Sequence, residues 1–277
     1  MKKKIILIIG IIILAILLLG GYKFLAKKET IKNEEQSINI NDKLVTNALK
    51  KFESIESLND KAKALANKMF YEDKIVTSAT FTNEEKLFLS LLAYSNQEKK
   101  PLYYIEEPLE IPTDTLKNTF FYEDNFLDNF KELNKKYTIL DTLNYEYQDN
   151  TVKVIGDNKL NDMDNRLFAY NVLNAKKTND TLEITFRLAY LDYQYSNTNT
   201  KVLMYNSLNG TNEIKTITLN QTTENGTTKD ESFDVKNIDD QFNTYKYTLK
   251  LVNGNTYFVF LNEFRKLWIK TKNLFHK

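Results

Sequence analysis

The residues best suited to chemistry in this chain are its neighbouring carboxylates. Glu84-Glu85, Glu106-Glu107, Glu123-Asp124 and Asp239-Asp240 each put two acids side by side. Hydrolysis of a glycosidic bond needs two carboxyls facing each other across a cleft, with one held protonated as the general acid. Neighbours in sequence do not face one another by that fact alone. In a chain with 37 acidic residues such pairs read first as solvated charge. The densest set of oxygen ligands is Asp157-Asn158-Lys159-Leu160-Asn161-Asp162-Met163-Asp164-Asn165. Calcium takes about six to eight oxygens. Lys159 stands where a ligand is needed and no glycine follows at the turn, so the segment reads as a solvated loop rather than a calcium site.

Other chemistries lack their residues. There is no cysteine, and the single histidine is His276, next to last. Thiolate nucleophiles, disulfides, multi-histidine metal sites and a Ser-His-Asp triad are therefore not expected. No Walker loop, Rossmann glycine fingerprint or Gly-x-Ser-x-Gly elbow occurs. No cofactor is expected. Arg166, Arg187 and Arg265 are the only arginines. Arg187 falls on the polar side of an alternating strand. It would face an anion if that side were the concave face of a curved sheet, and would otherwise be a surface cation.

Whatever these residues do, the elements that carry them follow an N-terminal anchor. Met1-Lys2-Lys3-Lys4 precedes an uncharged run from Ile5 to Tyr22, which includes Leu7, Ile11, Leu14 and Leu18. As a helix, 18 residues span about 27 Å, close to the ~30 Å hydrocarbon core of a bilayer. Phe24, Leu25 and Ala26 extend the run. The cleavage sites that a signal peptide would need are poor: Leu19 with Gly21, or Phe24 with Ala26. The expectation is an uncleaved anchor over 5–26. Lysines flank it on both sides, so charge alone does not orient it. A four-residue leading stub (1–4) favours a cytoplasmic N-terminus, with the rest outside. Residues 27–40 are polar, lack a clear period and read as a tether.

Beyond residue 28 the chain holds 32 basic and 37 acidic residues, a net charge of −5. A mildly acidic domain argues against nucleic acid as the main partner. Lysine outnumbers arginine 35 to 3 and asparagine occurs 33 times. These residues have AT-rich codons, so the composition reads as that of a low-GC genome, in which local Lys and Asn clusters arise cheaply.

Helical spacing dominates 41–136. Leu44, Val45, Ala48, Leu49, Phe52 and Ile55 share one face. Ser57-Leu58-Asn59-Asp60 has the form of a second helix start, with Ala62, Leu65, Ala66, Met69 and Phe70 inward. Thr82-Asn83-Glu84-Glu85 is a capping box opening a third helix through Leu87, Phe88, Leu91, Leu92 and Tyr94. Pro101, Pro108 and Pro112 make 97–113 an extended crossing, and a fourth helix is expected at about 114–121. From Tyr137 the period becomes two. Residues 166–176 should pair with 182–190 so that Lys176 opposes Glu183. Residues 202–208 should pair with 213–219, and 220–230 reads as a loop. The clearest hairpin turns at Asn253-Gly254, where a type I′ turn needs two positive φ angles. Its simple register puts Leu249 opposite Phe258 and Tyr247 opposite Phe260. The fold class is α+β: helices first, then an antiparallel meander (137–277) that they cover. Element order alone resembles the NTF2-like cone.

One echo stands out. Leu65-x-Asn67-x-Met69-Phe70-Tyr71-Glu72-Asp73 matches Leu116-x-Asn118-x-Phe120-Phe121-Tyr122-Glu123-Asp124. It reads as two helix ends with similar residues, or as a duplicated acidic-aromatic corner. The Lys-led anchor, the Thr82-Asn83-Glu84-Glu85-Lys86-Leu87 helix start and the Thr244-Tyr245-Lys246-Tyr247-Thr248 strand before Asn253-Gly254 together resemble a loose class of membrane-anchored proteins of low-GC Gram-positive bacteria. The resemblance implies a tethered ectodomain and no particular activity.

The tail adds a second candidate membrane contact. Read as a helix, Phe264, Leu267, Trp268, Leu274 and Phe275 form a stripe, with Arg265, Lys266, Lys270, Lys272 and Lys277 outside it. This is the pattern of a basic helix on an anionic surface. The competing readings are a helix docked on its own domain, or continuation of the last strand. The sequence therefore leads to three functions in order. The first is a membrane-tethered interaction or scaffold domain outside the cytoplasm, partnered by the bilayer and by an unspecified protein or envelope component. The second is a small-ligand binder using the hollow of a curved sheet. The third is a carboxylate-dependent hydrolase of wall polymers.

Overall fold

A computed structural model describes residues 35–51, 60–70, 75–98, 109–123, 126–128, 136–139, 143–155, 166–207, 210, 212–224 and 227–264. The expected anchor over 5–26, the aspartate-rich loop 157–165, Glu106-Glu107 and the tail from Arg265 onward lie outside the described residues. Among the described residues no helix is long and apolar enough to cross a membrane.

The unit that starts at Gln36 is α+β, mostly antiparallel sheet with few helices. Its first element is β1 (Gln36–Ile38), then helices α1 (Lys43–Lys50) and α2 (Asp60–Phe70). Strand β2 (Val76–Thr77) leads by a 3-10 turn to α3 (Asn83–Glu98). Next come β3 (Leu109–Pro112) and the short α4 (Thr113–Lys117). Apart from a 3-10 turn at Val235–Asn237, the remaining described elements are strands: β4 (Lys136–Ile139), β5 (Leu143–Gln148), β6 (Thr151–Ile155), β7 (Arg166–Lys177) and β8 (Thr181–Tyr195). Five more follow: β9 (Asn199–Tyr205), β10 (Glu213–Glu224), β11 (Thr227–Asp230), β12 (Thr244–Val252) and β13 (Asn255–Phe264).

Helices α1 and α3 start where side chains satisfy free backbone N–H groups. The Asp42 carboxylate accepts from Leu44 N at 2.8 Å. At α3 the capping box is complete: Thr82 N donates to Glu85 Oε2 (2.7 Å) and Glu85 N to Thr82 Oγ1 (3.2 Å). Leu65, Ala66, Met69 and Phe70 of α2 are buried, as their spacing predicts. In α3 every residue from Lys86 to Ala93 is buried. A helix covered on all sides lies within its layer, between the sheet and other chain segments.

Two sheets result. The smaller runs β3-β6-β5-β4, and Pro112 is tolerated because β3 is an edge strand with no inner ladder to break. Among the described residues the larger has nine strands, built around β8. Strand β7 pairs with β8 from Leu182 to Asp192, while β8 also pairs with β12 over 181–187 and with β9 over 190–195. The two partners follow one another along the same strand, and the sheet forks between them. The burial alternation of β8 breaks at that fork: Leu188, Ala189, Tyr190 and Leu191 are all buried. Leu188 and Tyr190 join the main core with α1, α2, α3, Tyr245, Tyr247 and Phe258. Ala189 and Leu191 face a second core, with Val202, Met204, Ile238 and Phe242, under the segment 231–243.

The structure corrects several expectations. Part of the expected tether is strand: Gln36–Ile38 pairs with Lys177, Lys176 and Ala175 of β7. The expected helical half also contributes β2 and β3. Residues 220–230 are not a loop, because β10 continues to Glu224 and folds back as β11. Phe264, placed in a helical stripe, ends β13 opposite Thr244. The fourth helix is only Thr113–Lys117. In the last hairpin Leu249 does oppose Phe258, but a bulge at Val259 shifts the rest, so Tyr247 opposes Leu261. Lys176 does oppose Glu183.

The Asn253-Gly254 turn has φ of 52° and 80°, the left-handed pair that the hairpin requires. A Cβ on Gly254 would meet nothing within 4 Å. Gly254→Ala should therefore lower stability by about 1 kcal/mol through backbone strain alone. The check is a urea midpoint shift with an unchanged slope; an unshifted midpoint would mean the turn is not type I′.

Candidate functional site

The neighbouring acids among the described residues are used in caps and ion pairs. Glu85 both caps α3 and receives Lys68 Nζ at 2.7 Å. Glu123 receives Lys86 Nζ at 2.5 Å across the start of α3. Burial pushes the Glu123 carboxyl up, but hydrogen bonds from Lys86 and Ser78 outweigh it and leave it below its ordinary value. Asp239 receives Lys215 Nζ at 2.9 Å and Gln241 N at 3.1 Å, and these hydrogen bonds also hold it low. Lys246 and Glu183 pair at 2.6 Å between β12 and β8. Among the described residues no group of three acids or histidines could hold a metal ion.

Both copies of the echo touch the β12–β13 hairpin, at different points along it. Tyr245 OH donates to Phe70 O at 2.7 Å, and Phe258 N donates to Phe120 O at 2.8 Å. In each copy a phenylalanine carbonyl, Phe70 O or Phe120 O, accepts a hydrogen bond from the β12–β13 hairpin, while Tyr71, Glu72 and Asp73 lie outside the described residues. That is the work of a packing corner. Tyr122, 50% exposed, lies against Tyr257 and under Lys250. Arg187 is half-buried and shares its face of β8 with Ala189 and Leu191. Its Nε has no hydrogen-bond partner among the described residues.

The most unusual group is one the sequence reading passed over. Lys51, at the C-cap of α1, is turned inward and 3% exposed. Its Nζ donates to Thr119 O at 2.6 Å and to Thr256 O, and stands 5.2 Å from the centroid of the Tyr257 ring. No acid among the described residues pairs with it. Burial of a charge that has no counter-ion lowers its pKa to about 8. Two carbonyls suit a neutral amine, which has two N–H groups to give; the third proton of the ammonium form finds no acceptor among the described residues. The signal was present in the sequence. Lys51 stands three residues after Ala48 and seven after Leu44, on the apolar stripe itself.

Lys51 lines a polar cavity of about 300 Å³ where the ends of α1 and α3 meet the tip of the last hairpin. Asn47 and Lys50 come from α1, Asn96 and Gln97 from α3, and Asn255 and Thr256 from β13. Asn96 Nδ2 donates to Lys50 O at 2.9 Å and so ties the two helix ends together. A second polar cavity, of about 350 Å³, lies beside the Asp149-Asn150 turn. Its groups hold that turn in place: Tyr147 OH donates to Asn150 Oδ1 and Thr113 N to Asn150 O. Compared with known proteins, the chain matches no family model, no curated protein and no solved structure.

Proposed function

We propose that this chain is a membrane-tethered interaction or scaffold domain, held outside the cytoplasm by its N-terminal helix. The observation that carries the non-catalytic part is the use made of the paired acids. Glu85 caps a helix and holds Lys68, Glu123 holds Lys86, and Asp239 holds Lys215. A carboxylate-dependent hydrolase needs one acid kept protonated near neutral pH. Glu123 and Asp239 are displaced the other way. The sheet face that would form a ligand-binding hollow carries Ile184, Phe186, Tyr245 and Tyr247, all packed into the main core.

The architectural part of the reading is a helix-covered, curved sheet of the NTF2-like kind. Its support is the element order and the bulges at Leu173 and Val259, which bend the long strands. The tether rests on the uncharged run Ile5–Tyr22 after three lysines, and a basic tail with Trp268 would add a second, weaker membrane contact.

The test is the fate of the N-terminus. The full chain should sediment with membranes, resist extraction by high salt, and retain residues 1–26 by intact mass. A mature chain that begins at Tyr22 or Lys27, or a salt-extractable one, would overturn the tether.

A further inference from the structure

The cavity at the end of α1 holds more polar groups than its packing uses. Asn96 ties the two helix ends together, and Lys51 gives two of its N–H groups to backbone carbonyls. Asn47, Lys50 and Gln97 are exposed at the rim, and their side chains have no partner among the described residues. The geometry points to a binding site in this cavity for a small carboxylated polyol, of which an acidic monosaccharide is the simplest case. It goes beyond the interaction reading and stands whether or not the chain is tethered.

Four features set that chemical class. The first is charge: Lys50 and Lys51 line the cavity, and no acid among the described residues does, so the ligand is an anion. A carboxylate oxygen would supply the acceptor that the third ammonium proton of Lys51 lacks among the described residues. The second is the rim. The side-chain amides of Asn47 and Gln97 each offer donors and an acceptor at once, and hydroxyl groups match both. The third is what the lining omits. Without a carboxylate in the lining, a zwitterionic amino acid would leave its own ammonium unpaired. Without an aromatic residue in the lining, a nucleobase would find no ring to stack on. The fourth is size: about 300 Å³ lies at the small end of ligand pockets and suits one ring rather than a chain of them.

The experiment uses the purified full-length chain. Its thermal unfolding is followed with D-galacturonate, D-galactose or inorganic phosphate at equal ionic strength, near neutral pH. Galacturonate should raise Tm in a saturable way, and galactose and phosphate should not. Lys51→Met should weaken galacturonate binding about tenfold, the loss of one charge-assisted hydrogen bond. Lys51 is buried and its replacement also tests the fold, so Lys50→Gln and Gln97→Ala provide the independent arm. Both are at the rim, and both should weaken binding while leaving the unliganded Tm unchanged. No shift with galacturonate overturns the site. An equal shift with galactose overturns the role of the lysines, and an equal shift with phosphate overturns the polyol. Unchanged affinity in both rim variants places any binding elsewhere and overturns the assignment.

Discussion

Phe258→Ala should lower the unfolding free energy by about 3–5 kcal/mol, the range for emptying a buried aromatic site. Phe258 is 4% exposed and stands at the crossing of three segments. Its ring stacks on Phe120 at 5.5 Å and lies 5.8 Å from Phe121, 5.9 Å from Phe81 and 5.7 Å from Tyr247. Each neighbour comes from a different part of the chain or is itself a large ring, so none can move in to fill the space without leaving another void. Its backbone is held too, through Phe258 N to Phe120 O. Chemical denaturation of the variant checks this. A midpoint close to that of the parent would mean that the hairpin face or its register is wrong. Phe258→Leu, which keeps much of the volume, should lose considerably less.

The second large effect depends on pH. The Lys51 pKa of about 8 in the folded protein lies below the ordinary lysine value of 10.5. A depressed cation pKa means the folded state holds its proton less tightly than the unfolded state does. Between pH 8 and 10.5 the unfolded chain therefore binds more protons at this site, and stability rises with pH across that window. Below pH 8 both states are protonated and the gain is absent. The full gain is on the order of 3 kcal/mol. Tyrosines work against it near the top of the window. Tyr247 and Tyr257 are raised by burial, so they favour the unfolded state as free tyrosines ionise. Lys50 and Tyr257 are the titratable neighbours facing Lys51 from α1 and β13. The clean measurement is thus a difference: stability of the parent minus that of Lys51→Met, followed from pH 7 to 10. It should climb. A flat difference would show the Lys51 ammonium to be solvated.

What the sequence made legible is local. The capping box at Thr82 and Glu85 and the turn at Asn253-Gly254 are set by chemistry within four residues, and the structure builds both as read. The α+β class followed from the change of period near Tyr137. What escaped was set by distant partners. The bulge at Val259 moves Tyr247 from Phe260 to Leu261, and nothing near Val259 announces it. Residues 220–230 look like a loop because they are Thr-rich and polar, yet they lie at a sheet edge where only the backbone needs a partner. Gln36–Ile38 becomes a strand because β7 offers it an edge at Ala175–Lys177. Lys51 was missed for a further reason. A lysine on an apolar stripe is ordinarily taken as a helix end reaching for water, and only Thr119 O and Thr256 O turn it inward.

The fork at β8 sits in a sheet whose pairings run far along the chain. Strand β1 waits for β7, about 140 positions on, and β2 waits for β13. Lys51 finds its acceptor at Thr256. During synthesis the first helices therefore leave the ribosome with no sheet to lie on, and the core they share with β8 and the last hairpin stays incomplete until that hairpin arrives. Chains wired by such long-range pairings fold slowly, because loop closure must precede most of the stabilising contacts. Because that hairpin comes late, this molecule is most vulnerable to aggregation while its N-terminal half is complete and its C-terminal hairpin is not.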